Sequence, residues 1–97
     1  MAKFGIQKKP HDFLEEIAQR HKKLRRQMGF SQSEMAVRSG VSLGSLKRFE
    51  TTGQISFESL LKLAEIVGHL DDFDLILKPF ENWKEIEKLF SDKTRNG

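Results

Sequence analysis

The sequence predicts an all-α protein of about five short helices followed by an amphipathic C-terminal segment. Three observations carry that expectation. Apolar residues recur at helical spacing along nearly the whole chain, and no stretch sustains the period of two that marks a strand. Serine and glycine punctuate the apolar stretches where helices need caps and stops.

Phe13, Leu14, Ile17, Ala18, His21 and Leu24 mark one face of a first helix, with Asp12 and Glu15 spaced as a capping box and Gly29 as its stop. Ser31 and Glu34 form a cleaner capping box for a short second helix that carries Met35 and Ala36 inward, and Gly40 breaks the chain. Ser42 caps a third helix over 43–51 with Leu46 and Phe49 inside, ended by Gly53. Ser56 caps a fourth, with Phe57, Leu60, Leu61, Ala64 and Val67 inward and Gly68 as its stop. Leu70, Phe73, Ile76 and Leu77 predict a fifth, its first turn holding Asp71 and Asp72 against the helix dipole and Pro79 closing it. Phe80, Trp83, Ile86, Leu89 and Phe90 then share one side of a last helical stretch, before a polar tail expected to fray. The expected division is a domain over 1–78 with its informative motif at 31–51, and an extension over 79–97.

Composition narrows the function classes. At 97 residues and 37% hydrophobic content the chain holds one modest core, a poor setting for a deep catalytic cleft. It contains no cysteine, which excludes disulfide and thiol chemistry and suits a reducing compartment. No apolar run approaches the roughly 20 residues that cross a bilayer, and Met1 to Ile6 lack the apolar region of a signal peptide. A cytoplasmic location is expected. The net charge of +3 is unevenly spread: eight basic and three acidic side chains lie within 1–30, six basic and nine acidic within 55–97. That asymmetry fits either a face against phosphates or a solvated basic helix.

Chemistry-bearing residues outside the motif read as structural. His11, His21 and His69 lack ligand spacing to one another, and Asp71, Asp72 and Asp74 read as a helix N-terminal cluster, so no metal site is expected. Ser31, Ser42 and Ser45 have no supporting histidine motif, and two of them serve as caps; no catalytic residue is assigned.

The unit from Ser31 to Glu50 has a steric logic. Ala36 is small where two helices must cross closely. Gly40 takes the positive φ of the turn without a Cβ penalty. Val41 and Leu46 fill the wedge between the helices, with Met35 behind them. Counting about 100° per residue from inward Leu46, Gly44 and Arg48 point most directly outward, flanked by Ser45, Lys47 and Thr51, with Leu43 at the leading end. Such a helix fits the major groove, where Lys or Arg donates to guanine O6 and N7. Lys47 and Arg48 are therefore the base-reading candidates, and Gly44 permits close approach. A protein-interaction module would instead want this face apolar or acidic.

The set Gln32, Ala36, Gly40-Val41-Ser42, Leu46 and Glu50, followed by a capped helix rich in Leu and Ala, resembles the phage-repressor-like (Xre/Cro) helix-turn-helix family over roughly residues 20–77. The resemblance implies a lambda-repressor-like domain that binds a double-stranded DNA operator without a cofactor, as a transcriptional regulator of the repressor type that occludes a promoter. It implies base-facing positions at Leu43, Gly44 and Arg48, beside which Ser45 and Lys47 lie. Family members often carry polar side chains where Leu43 and Gly44 stand, so Leu43 is expected to offer apolar contact to a thymine methyl. Ser31 and Gln32 are implied phosphate contacts, to which the exposed-face residues Arg26 and Thr51 are added. Lys22 and Lys23 are further phosphate candidates. Arg25 and Glu50 stand where the family commonly holds a structural ion pair.

Two-fold symmetric operators call for a homodimer whose half-sites lie about 34 Å apart, so a contact beyond residue 55 is expected. Phe80, Trp83 and Phe90 either cover the domain's own core, the expectation for at least one of Phe80 and Trp83, or form a surface for self-association. The segment from Ser42 to Ser56 and the Leu-rich helix after it also look like the HipB-like antitoxins, which would add a toxin protein as partner of the acidic, aromatic C-terminal half.

Overall fold

The computed structural model describes residues 7–96, with side chains up to residue 90. The expectations for Met1 to Ile6, and for the side chains of the tail after Phe90, lie outside the described residues. Helix α1 spans Pro10–Gln27, starting ahead of the capping box expected at Asp12 and Glu15. Pro10 has the fixed φ suited to a first helical position, so Lys9 becomes the N-cap. Asp12 sits inside the first turn, where its carboxylate accepts the Lys9 backbone N–H at 2.8 Å. Glu15 instead meets His11 at 3.1 Å.

Helices α2 (Gln32–Ser39), α3 (Leu43–Thr52) and α4 (Phe57–Ile66) each begin with a serine cap. Ser31, Ser42 and Ser56 accept the backbone N–H of Glu34, Ser45 and Ser59 at 3.0, 3.1 and 3.1 Å. Each such cap stabilises by about 1 kcal/mol. Between α2 and α3 the chain reverses at Gly40, whose φ of 79° a side chain would resist although a Cβ would meet nothing within 4 Å. Gly53, at φ 83°, is constrained twice: a Cβ there would lie 2.9 Å from the Leu14 backbone. The end of α3 is thus pressed against α1.

Met35, Leu46, Phe49 and Leu63 are fully buried, with Ala18, Ala36, Val41 and Ala64 around them. Helix α1 packs on α3, and α2 packs on both α3 and α4. Two expectations about the core need correction. On α1, Phe13 and Leu14 are 48% and 42% exposed, and the buried stripe runs through Ala18, His21 and Arg25. On α4, Leu63 is buried while Phe57 is 59% exposed. Leu60, Leu63, Ala64 and Val67 follow the i, i+3, i+4, i+7 stripe, and Phe57 turns aside to pack edge-on against Phe73, 5.8 Å between centroids.

The expected fifth α-helix is a 3-10 helix over Leu70–Leu75, packed on α4. It ends at Leu75, ahead of the stop expected at Pro79: Ile76 is already extended and Leu77 has a φ of 58°. Helix α5, Trp83–Asn96, continues through the stretch for which the sequence predicts a frayed tail. Neither Phe80 nor Trp83 belongs to the core. Phe80 stacks on Trp83, 5.4 Å between centroids, and both rings also meet Phe90. All regular structure among the described residues is helical, and no helix among them is long and apolar enough to cross a membrane.

Candidate nucleic-acid interface

Helix α3 is held by its inner stripe. Leu46, Phe49 and Glu50 are buried, so Gly44, Ser45, Lys47, Arg48 and Thr51 are left on the exposed side. A Cβ at Gly44 would meet open space, so this position leaves the backbone accessible at the helix's leading end. Leu43, expected to face the bases, is half-buried and packs against the core. Its apolar side chain gains more from that contact than from water, which leaves only part of it at the outer surface.

The polar groups on this face have defined partners. Ser45 accepts a hydrogen bond from the Ser42 hydroxyl at 2.8 Å. Thr51 donates its hydroxyl to the Lys47 carbonyl at 2.9 Å, which occupies the one proton it could offer a phosphate oxygen. Arg48 donates through Nη2 to the side-chain oxygen of Gln54, a residue outside the set expected from the sequence. Nothing in the local pattern marks Gln54, because the contact depends on how the turn after α3 folds back.

At the start of α2, Ser31 is exposed, and its cap uses the oxygen as acceptor, which leaves the hydroxyl proton available. Gln32 is half-buried and donates through Nε2 to Glu50 at 3.0 Å. Arg26 is exposed on α1, where it lines a shallow open groove with Gln19, Lys22, Lys23 and Gln27.

Behind α3 lies a buried polar network. Arg25 donates to Glu50 from Nε and from Nη2, both at 2.9 Å, in the forked geometry that suits a carboxylate. Its Nη1 donates to the Phe30 carbonyl at 2.8 Å, in the link between α1 and α2. His21 Nδ1 lies 2.8 Å from Glu50, so Nδ1 carries the proton and Nε2, buried without a partner, is the bare nitrogen. Arg25 and Glu50 are 6% and 4% exposed. Burial lowers the His21 pKa below its ordinary value and the Arg25 charge assists, against the opposing pull of Glu50. Burial alone would raise the Glu50 pKa, but hydrogen bonds from Arg25 and Gln32 and the Arg25 charge prevail and hold it low. Glu50 is therefore an anion and His21 is neutral near pH 7. Helical spacing places His21 on the inward face of the first helix, but no local pattern assigns it a polar role.

The arrangement presents a fixed helix with two cations and an accessible backbone on one side and hydrogen-bond donors at the start of the preceding helix. This is suited to a polyanion with readable edges. A family model described as helix-turn-helix matches residues 22–73 of the chain. No curated protein and no solved structure matches it.

Proposed function

The chain belongs to the Xre/Cro-like helix-turn-helix family of DNA-binding transcriptional regulators, and we propose that it is a sequence-specific repressor that reads the major groove with α3. The carrying observation is the outer face of α3: Gly44, Ser45, Lys47 and Arg48 are exposed on a helix whose opposite side is locked into the core. Arg48 and Lys47 donate to guanine O6 and N7, and Gly44 lets the helix approach the base edges closely. Ser31, Gln32 and Arg26 take phosphate contacts, which set the depth and register of α3 without reading sequence. Occlusion of a promoter follows from occupying its operator in the cytoplasm. No cofactor enters this scheme.

A duplex selected from a random pool by the wild-type chain supplies the test. In gel-shift titrations, Lys47→Ala and Arg48→Ala each lose about 1–3 kcal/mol of discrimination between this duplex and a scrambled one if the contact is bidentate. Equal weakening on both duplexes would reject base reading by these side chains.

We further propose that the regulator binds as a homodimer through the segment from Leu75 to Phe90. Leu75, Ile76, Leu77, Phe80, Trp83 and Leu89 are all at least 49% exposed, and exposed apolar side chains gathered in one segment are a common mark of an interaction surface. The same uncovered face supports a second reading, an antitoxin that represses its own operon while holding a toxin protein there. Co-purification separates them: a toxin protein recovered bound to the chain favours the antitoxin, and its absence favours the plain repressor.

A further inference from the structure

We infer that Gln54 is a positioning residue for Arg48, fixing the direction in which the guanidinium meets a base; the inference rests on the base-reading role proposed for α3. A guanidinium can only donate, so the Gln54 amide must turn its oxygen to Arg48 Nη2. The other N–H groups of Arg48 then remain for a guanine.

The backbone that carries Gln54 is fixed on both sides. Gly53 is buried against Leu14 of α1, and its N–H donates to the Phe49 carbonyl at 2.7 Å. Ile55 packs against the core. Gln54 itself donates its backbone N–H to the Thr52 hydroxyl at 3.1 Å, and that hydroxyl donates to the Arg48 carbonyl at 2.7 Å. The turn is therefore tied back onto the very residue whose side chain Gln54 holds. An arginine on an exposed helix face samples many rotamers, and confining it before contact removes an ordering cost from binding. That saving is realised only where the confined geometry meets its base, so it acts on specificity.

The test uses the selected duplex and single-base-pair variants of it, some at the base pair that Arg48→Ala identifies as Arg48-dependent and the others elsewhere in the site. Gln54→Leu, similar in size and lacking an acceptor, is expected to lose about three- to tenfold of the preference at that base pair, with preferences elsewhere, the salt slope and Tm unchanged. Gln54→Glu keeps an acceptor and is expected to retain the preference while overall affinity falls, because it adds a negative charge near the phosphates. If Arg48→Ala changes no base preference, base reading by Arg48 fails and the inference falls with it. If Arg48→Ala does change one and Gln54→Leu retains the wild-type preference, only the positioning role is overturned. Uniform weakening by Gln54→Leu on every duplex also overturns it, since that marks a phosphate contact.

Discussion

Replacing Glu50 by glutamine tests whether the buried network holds the domain together. The carboxylate accepts four hydrogen bonds: Oε1 from Arg25 Nη2 and Gln32 Nε2, and Oε2 from Arg25 Nε and His21 Nδ1. An amide offers one oxygen. Placed at the Oε1 position, that oxygen satisfies Arg25 Nη2 and Gln32, but the new NH2 then faces Arg25 Nε, donor against donor. Placed at the Oε2 position, it satisfies Nε and sets the NH2 against Nη2. His21 can change tautomer and Gln32 can turn its amide; Arg25 has no such freedom. One guanidinium N–H is orphaned either way, and the positive charge loses its counter-ion at a site 6% exposed. Breaking a buried pair in this manner costs about 3–5 kcal/mol, a large share of the roughly 5–15 kcal/mol that stabilises a typical domain. The expected fall in Tm by calorimetry is therefore roughly 12 °C or more. The paired change Arg25→Met with Glu50→Leu removes both charges and is expected to recover most of the loss. A Glu50→Gln protein that melts with the wild type would refute the account.

Three further outcomes are expected. The unfolded chain takes up a proton at histidine below its ordinary value near 6.5, whereas buried His21 resists it, so the His21 contribution is full above that pH and shrinks as pH falls beneath it. Glu50, held low, adds a second loss as pH drops below 4.5. Urea midpoints between about pH 7.5 and about pH 5 should decline less steeply for His21→Leu than for the wild type, and parallel slopes would count against this. Alanine at Gly40 meets only the backbone penalty of about 1–2 kcal/mol, whereas at Gly53 it must also displace the Leu14 backbone; thermal melts should rank Gly53→Ala as the more damaging, and an equal effect would show that α1 yields. Trp83→Ala removes the ring that stacks on Phe80 at an exposed apolar face, and sedimentation equilibrium should show weaker dimerisation; an unchanged profile would discard α5 as the interface.

What the sequence discloses follows the range of each interaction. Ser31, Ser42 and Ser56 are readable because a cap bonds the N–H three residues on, and its partner is therefore in view. Gly40 is readable for the same reason. The cap of α1 misleads because Pro10 and Asp12 offer competing starts, and the proline lies earlier. Leu63 is missed because α4 carries two overlapping apolar stripes, and only the neighbours α2 and the 3-10 helix decide between them. The Arg25–Glu50 position enters through family resemblance, but the convergence of His21 and Gln32 on the same carboxylate spans 29 and 18 residues. No local pattern encodes it. The outward face of α3 follows from helical periodicity alone, whereas the inward lean of Leu43 depends on a core assembled from other helices.

The buried network also bears on the proposed reading of DNA by α3. Apolar contacts tolerate sliding, whereas hydrogen bonds weaken steeply once bent or stretched. Glu50 of α3 is bound to Arg25 and His21 of α1 and to Gln32 at the start of α2, while Arg25 also grips the Phe30 carbonyl between them. The donors proposed for phosphate, Ser31 and Gln32, and the side chains proposed for bases, Lys47 and Arg48, are therefore referenced to one carboxylate. Exposed pairs such as Arg38–Glu34 and Lys62–Glu58 cannot serve this way, because each is solvated and worth little. A backbone contact made at α2 fixes the depth of α3 only if the two helices move as one body. Beside the hydrophobic core, the buried charges are thus expected to supply alignment. An apolar pair in place of Arg25 and Glu50 is expected to recover most of the folding free energy but not this alignment.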